Sequence, residues 1–141
     1  VLREDTVPFL DALKASGKRR ILLTNAHPHN LAVKLEHTGL ASHLDLLLST
    51  HTFGYPKEDQ RLWHAVKEET GLQPERTLFI DDSEPILDSA ATFGIRYCLG
   101  VTNPDSGLAE KSYLRHPGLN DYRQMIPSLT VKETPHERKT L

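Results

Sequence analysis

The stretch "TLFIDDSEPILDSAATFGIRYCLG", residues 77–100, contains two apolar runs separated by a segment with helical features. The runs at 77–80 and 95–100 are short and continuous, which is typical of strands buried inside a parallel sheet. Between them, Ser83 can cap a helix, Pro85 suits its first turn and Gly94 can end it. The stretch therefore predicts a β-α-β unit with two parallel strands.

The alternation of apolar runs with helical segments continues towards the amino terminus. Helices are predicted at residues 5–17 (with Asp5 or Thr6 as cap), 29–39 and 58–71. A strand covered on both faces is predicted at 19–24, and a second apolar strand at 44–50. This order favours an α/β fold, a three-layer, Rossmann-like parallel sheet with helices on both faces. Beyond residue 100 the sequence is rich in loops, with a short helix predicted at 121–129. Residues 1–129 are expected to form the core domain and residues 130–141 a polar tail.

The composition of the chain argues against several classes of protein. The chain has 141 residues, of which 38% are hydrophobic and 26% charged, and its formal net charge is −2, as expected for one globular domain without a basic nucleic-acid-binding face. Cys98 is the single cysteine, so no internal disulfide can form. No apolar stretch approaches the ~20 residues of a membrane span, and no secretory signal is visible. We therefore expect a cytoplasmic protein with no membrane or nucleic-acid partner. The oligomeric state is left open.

Polar side chains follow the predicted strands where each strand ends. Thr24 and Asn25 follow the first strand, Lys57 lies in the loop after the second, and Asp81 and Asp82 follow the third. Because the carboxyl ends of parallel strands share one edge of the sheet, these groups are expected to converge. A hydroxyl and an ammonium suit a phosphate, and paired carboxylates suit Mg²⁺. The pattern predicts a site for magnesium and a phosphate.

Each of these residues also has an ordinary structural interpretation. A threonine at a strand end is usually a turn residue, a lysine in a loop is usually solvated, and acidic residues before a helix often only complement its positive end. The functional interpretation is favoured because the residues follow successive strands as a set.

The set resembles the sequence motifs of the haloacid dehalogenase superfamily of Mg²⁺-dependent hydrolases. "ILLTN" is similar to its second motif, Lys57 to the lysine of the third, and "FIDDS" to the fourth. The resemblance implies catalytic roles for Thr24 and Lys57 and phosphate binding by Thr24, the backbone of Asn25 and Lys57. It also implies that Asp82 is the main Mg²⁺ ligand and Asp81 a second or water-mediated one.

The superfamily's first motif, a strand followed by Asp-x-Asp, has no counterpart in the chain. In the superfamily its first aspartate is the nucleophile, and its strand lies between those that here end at Thr24 and Asp81. A chain that begins with Val1 and lacks this motif and the cap domain is interpreted as the carboxyl-terminal part of a longer enzyme, a partial core. We expect it to be poorly stable and inert by itself, with a gap in mid-sheet or another segment filling it.

The wider sequence around Thr24 and Lys57 is similar to that of bacterial GMP/IMP nucleotidases of the superfamily. This resemblance implies a 5′-nucleotidase whose partner is a small phosphomonoester, a purine nucleotide. The alternatives are an inactive phosphate- and metal-binding or interaction module, and a phosphoacceptor signalling domain, whose motifs occur in a different order. His27 and His29 could bind zinc or contact a nucleobase. A loop at the mouth of the site, without metal and without a link to His51 or His64, is favoured.

Overall fold

A computed structural model describes residues 5–30, 32, 36, 39–102 and 112–119. The helix and the two strands predicted in the opening stretch are confirmed with bounds that differ by one or two residues, and a one-turn helix and a fifth strand were not predicted. The elements are α1 Thr6–Ala15, β1 Ile21–Thr24, β2 Leu46–Ser49, α2 Thr50–Phe53, α3 Gln60–Thr70, β3 Leu78–Asp81, α4 Glu84–Phe93, β4 Tyr97–Val101 and β5 Gly118–Leu119.

Two expectations fall wholly or partly beyond this description. Within the helix predicted at 29–39, the described residues 29, 30, 32 and 36 are helical. Its other residues, apart from Gly39, lie outside the described part of the chain. The short helix predicted at 121–129 and the polar tail at 130–141 also lie outside the described residues.

All described strand pairs are parallel. β1 pairs with β2 in the register Ile21 to Leu46, and β3 pairs with β4 in the register Leu78 to Tyr97. β4 also pairs with β5. The predicted α/β class with a parallel sheet is confirmed. The strands form two separate sheets, in the orders β1-β2 and β3-β4-β5.

A cavity of about 150 Å³ lies between β1 and β3. Its walls include residues 21–23 of β1 and residues 79–80 of β3, and Phe9 and Leu10 of α1 cover it. Among the described strands, β1 and β3 have no ladder between them, and this apolar cavity separates them. Of the two arrangements expected from the sequence, a gap or a segment that fills it, the described residues show the gap.

Helices cover the two faces of this divided sheet. Adjacent residues of a strand point to opposite faces, and Phe79 and Ile80 of β3 do so here. Phe79 packs with Trp63 of α3 and Leu87 of α4, whereas Ile80 packs against the buried face of α1. The order helix, sheet, helix confirms the three-layer arrangement.

Strand β2 is only partly covered. Leu46 and Leu47 in its first half are 37% and 39% exposed. Among the described strands, β2 has β1 as its neighbour on one side.

The helix caps also differ from prediction. Asp5 and Ser83 occupy the N-cap positions of α1 and α4, but neither side chain makes a capping hydrogen bond. The carboxyl end of α4 follows prediction, because Gly94 has a φ of 114°, a conformation that residues with a Cβ rarely adopt.

Candidate active site

Lys57 and Asp81 form a largely buried ion pair at the carboxyl ends of the strands. The Lys57 Nζ lies 2.7 Å from Asp81 Oδ2, and the two side chains are only 12% and 7% exposed. The same ammonium donates to the carbonyl oxygen of Leu23 in β1, at 3.4 Å. Since Asp81 ends β3, Lys57 connects the ends of the two strands that border the mid-sheet gap.

The carboxylate of Asp81 is engaged on both oxygens. Oδ1 accepts hydrogen bonds from the backbone N–H groups of Asp82 (2.8 Å) and Ser83 (3.1 Å), at the start of α4, and Oδ2 faces Lys57. Burial raises the pKa of Asp81, and the neighbouring Lys57 ammonium opposes that rise. The pair thus places a positive and a negative charge in a site with little water.

Both backbone polar groups of Lys57 form hydrogen bonds with side chains. Its N–H donates to the side-chain oxygen of Asn25 (3.1 Å), which also accepts from the hydroxyl of Thr50 (3.0 Å). Its carbonyl oxygen accepts from the indole N–H of Trp63 at 3.1 Å, and that N–H also lies 3.0 Å from Ser89 Oγ. Sequence analysis missed Asn25 as a side-chain anchor and missed Trp63 and Ser89 entirely, because a helical tryptophan carries no motif.

The predicted site residues are not all in direct contact. Asn25, Lys57 and Asp81 are linked by hydrogen bonds. Thr24 is half-buried beside Asn25, and its hydroxyl oxygen accepts from the N–H of Ala26 at 3.0 Å. Asp82 follows Asp81 in the chain and is exposed. The structure therefore brings Asn25, Lys57 and Asp81 together, with Thr24 and Asp82 next to them in the chain.

The residues present fit Mg²⁺ in their chemistry. Magnesium takes oxygen ligands and is usually held by one or two carboxylates together with a substrate phosphate. Asp81 is largely buried and binds Lys57 and two N–H groups, and Asp82 is exposed to solvent. The two carboxylates supply the type of ligand that Mg²⁺ takes.

A second group of potential ligands lies along α4, and sequence analysis missed it. Glu84, Asp88 and His116 place ligand atoms within 4.8 Å of one another. Asp88 binds Arg115 (2.6 Å) and His116 (2.8 Å), and Glu84 accepts from the N–H of Leu114 (2.7 Å). The Arg115 and His116 hydrogen bonds lower the pKa of Asp88 to about 2. This group ties residues 114–116 to α4. Only the i, i+4 spacing of its acids is visible in sequence.

The exposed histidines after β1 and β2 lie together. The rings of His27 and His51 are 5.2 Å apart in an edge-to-face arrangement, and His27 Nδ1 accepts from the N–H of His29 at 3.2 Å. The expectation that His51 is not linked to His27 and His29 is wrong, because the loop after β1 and the one-turn helix α2 meet at the same edge of the sheet.

Comparison with known proteins assigns the family of this chain. A profile of the haloacid dehalogenase-like hydrolases matches residues 1–94, so the chain belongs to that family. The resemblance inferred from the three motifs is therefore confirmed.

Two curated relatives are much closer than the family as a whole. GMP/IMP nucleotidase YrfG of Escherichia coli (strain K12) is 86% identical over 129 residues, which cover 92% of this chain and 58% of the relative. The Shigella flexneri protein of the same name matches equally well. The chain thus spans less than two thirds of the length of these relatives.

Solved structures support the fold. A crystal structure of a dehalogenase superposes with a TM-score of 0.76 at 23% identity, covering 92% of this chain and 57% of that one. A phosphatase of the superfamily from Thermococcus onnurineus gives a TM-score of 0.74 at 19% identity, covering 94% and 60%. No helix in the described part of the chain has the length and apolarity needed to cross a membrane.

Proposed function

We propose that the chain is part of a Mg²⁺-dependent phosphomonoesterase that releases phosphate from purine 5′-mononucleotides such as GMP and IMP, in the cytoplasm. The observation that supports it most is the Lys57–Asp81 pair beside Asn25, at the strand ends of a chain 86% identical to a GMP/IMP nucleotidase. The nucleophilic aspartate is proposed to lie upstream of this chain, in the part of the relative that the match leaves uncovered.

In this proposal, the residues of the chain bind and orient the phosphate. The Thr24 hydroxyl, the Asn25 backbone and the Lys57 ammonium hold the non-bridging oxygens as negative charge develops on them. Asp82 holds Mg²⁺ directly and Asp81 supports it while fixing the position of Lys57. When bound, Mg²⁺ neutralises charge on the phosphate and on the carboxylates.

The reaction then proceeds in two displacements. The aspartate supplied by the uncovered part attacks phosphorus, the P–O bond to the nucleoside breaks, and the nucleoside oxygen takes a proton. Water next attacks the aspartyl-phosphate, which releases inorganic phosphate and restores the carboxylate. Burial of the Lys57–Asp81 pair limits access of bulk water to this side of the site.

The test uses a chimeric protein that joins this chain to the uncovered part of the E. coli relative. Phosphate release from GMP is measured while Mg²⁺ is titrated. Asp82→Asn is expected to lower turnover at least about 100-fold and to weaken Mg²⁺ dependence, because a carboxylate ligand is lost. Asp81→Asn is expected to weaken Mg²⁺ binding less.

Glu68→Gln on the exposed surface of α3 is the matched control, since it removes the same charge away from the site. Turnover by Asp82→Asn equal to that of the control at limiting Mg²⁺ would contradict the assignment. A chimera that binds GMP and Mg²⁺ without releasing phosphate would favour the alternative, an inactive binding module.

A further inference from the structure

The pair of exposed histidines is connected to the phosphate side of the site through one residue. His51 Nε2 lies 3.0 Å from the backbone oxygen of Asn25, and the side chain of Asn25 accepts from the N–H of Lys57. The His27 ring contacts the His51 ring. A continuous set of contacts therefore runs from His27 to the Lys57–Asp81 pair.

The hydrogen bonds define which ring nitrogens carry hydrogen in the neutral histidines. A carbonyl oxygen only accepts, so His51 donates from Nε2 to Asn25. His27 accepts at Nδ1 from the N–H of His29, so its own hydrogen is on Nε2. His27 thus offers solvent a flat aromatic ring and an N–H donor.

A metal role is less well supported for this pair. Within the described residues, three or more potential ligand side chains come together at Glu84, Asp88 and His116, a group that does not include His27 or His51. A structural zinc site needs four ligands. An exposed ring with an N–H donor at its edge is better suited to a ligand that offers an acceptor, such as the edge of a base.

We propose that His27, supported by His51, contacts the base of the nucleotide and selects 6-oxopurines. The edge of the His27 ring meets the edge of the purine, where its Nε2–H donates to the O6 acceptor that guanine and hypoxanthine share. Adenine carries an amino donor at that position, so it cannot accept this hydrogen bond. This inference rests on the proposed function, and it adds the residue that determines base specificity.

The experiment measures kcat and KM of the chimeric protein for GMP, IMP, AMP and ribose 5-phosphate, which lacks a base. His27→Ala is expected to lower kcat/KM for GMP about tenfold, mainly through KM, as expected for the loss of one hydrogen bond to the base. The values for ribose 5-phosphate are expected to stay unchanged. His64→Ala is the matched control, because His64 is an exposed histidine of α3 whose ring packs against Phe93.

A second variant separates the hydrogen bond from the volume of the ring and guards against misfolding. His27→Phe keeps an aromatic ring without the N–H donor, and it is expected to raise KM for GMP about as much as His27→Ala does and to lose the preference for GMP over AMP. An unchanged ratio of kcat/KM between GMP and ribose 5-phosphate in His27→Ala would overturn the inference. If the parent chimera hydrolyses ribose 5-phosphate and GMP equally well, the inference fails while the proposed phosphomonoesterase activity stands. If it hydrolyses none of the four, both fail.

Discussion

Replacing Lys57 by methionine removes one partner of the buried pair and leaves the Asp81 carboxylate 7% exposed with no opposing charge from the lysine. At 2.7 Å, Coulomb's law gives an attraction of about 6 kcal/mol with an effective dielectric constant of ~20. Desolvation of both ions offsets part of this attraction. Breaking such a pair from one side usually costs about 3–5 kcal/mol, and we expect Lys57→Met to lower the free energy of unfolding at pH 7 by that amount.

The decrease in the free energy of unfolding caused by Lys57→Met is expected to depend on pH. Burial raises the pKa of Asp81 above 3.8, and in the variant no Lys57 ammonium opposes the rise. The folded variant therefore takes up a proton at a higher pH than the unfolded chain. Its free energy of unfolding increases as pH falls through the raised pKa towards 3.8, so the deficit relative to the parent becomes smaller in acid.

Urea unfolding of the chimeric protein, followed by circular dichroism from pH 8 to pH 4, measures this effect. Lys67→Met on the exposed side of α3 is the control, since it makes the same replacement at the surface. The double variant Lys57→Met with Asp81→Asn is expected to recover most of the loss, because no buried charge remains. The reasoning would be refuted if Lys57→Met lost no more unfolding free energy than Lys67→Met, or if its loss did not change with pH.

Three further perturbations test other parts of the structure. The Asp88 carboxyl, with a pKa of about 2, contributes stability that is present above pH 4 and is lost as pH falls towards 2. NMR titration of Arg115→Met is expected to show a higher pKa for Asp88, because the Arg115 hydrogen bond is lost. Trp63→Phe keeps the ring but removes the N–H that reaches Lys57 and Ser89, and thermal unfolding should show a loss of about 1–2 kcal/mol. Residues 1–141 alone are expected to release no phosphate from GMP with Mg²⁺, and to be less stable than the chimera by about 3.6 kcal/mol. That value follows from a 150 Å³ cavity at ~24 cal/mol per Å³, and equal unfolding free energies in urea would contradict it.

The sequence by itself determined the order and type of most elements and the family. Short apolar runs alternating with capped, periodic segments are local signals, so the β-α-β unit at 77–100 could be predicted with its carboxylates at the strand end. The mid-sheet gap also followed, because the chain lacks a motif whose strand has a fixed place in the superfamily. The positions of Thr24, Lys57 and Asp81 after successive strands were readable in the same way.

Only the tertiary structure decided which of these groups touch. The Lys57–Asp81 pair, the Asn25 anchor and the His27–His51 contact each join residues 24 or more positions apart. Strand β5 is two residues long, and its pairing with β4 is defined by a partner 18 positions away. Sequence patterns show the periodicity of apolar residues within one segment. Contacts between distant residues depend instead on the angles and distances at which separate segments pack. Side-chain hydrogen bonds form over about 3 Å, a precision that periodicity along the chain does not contain.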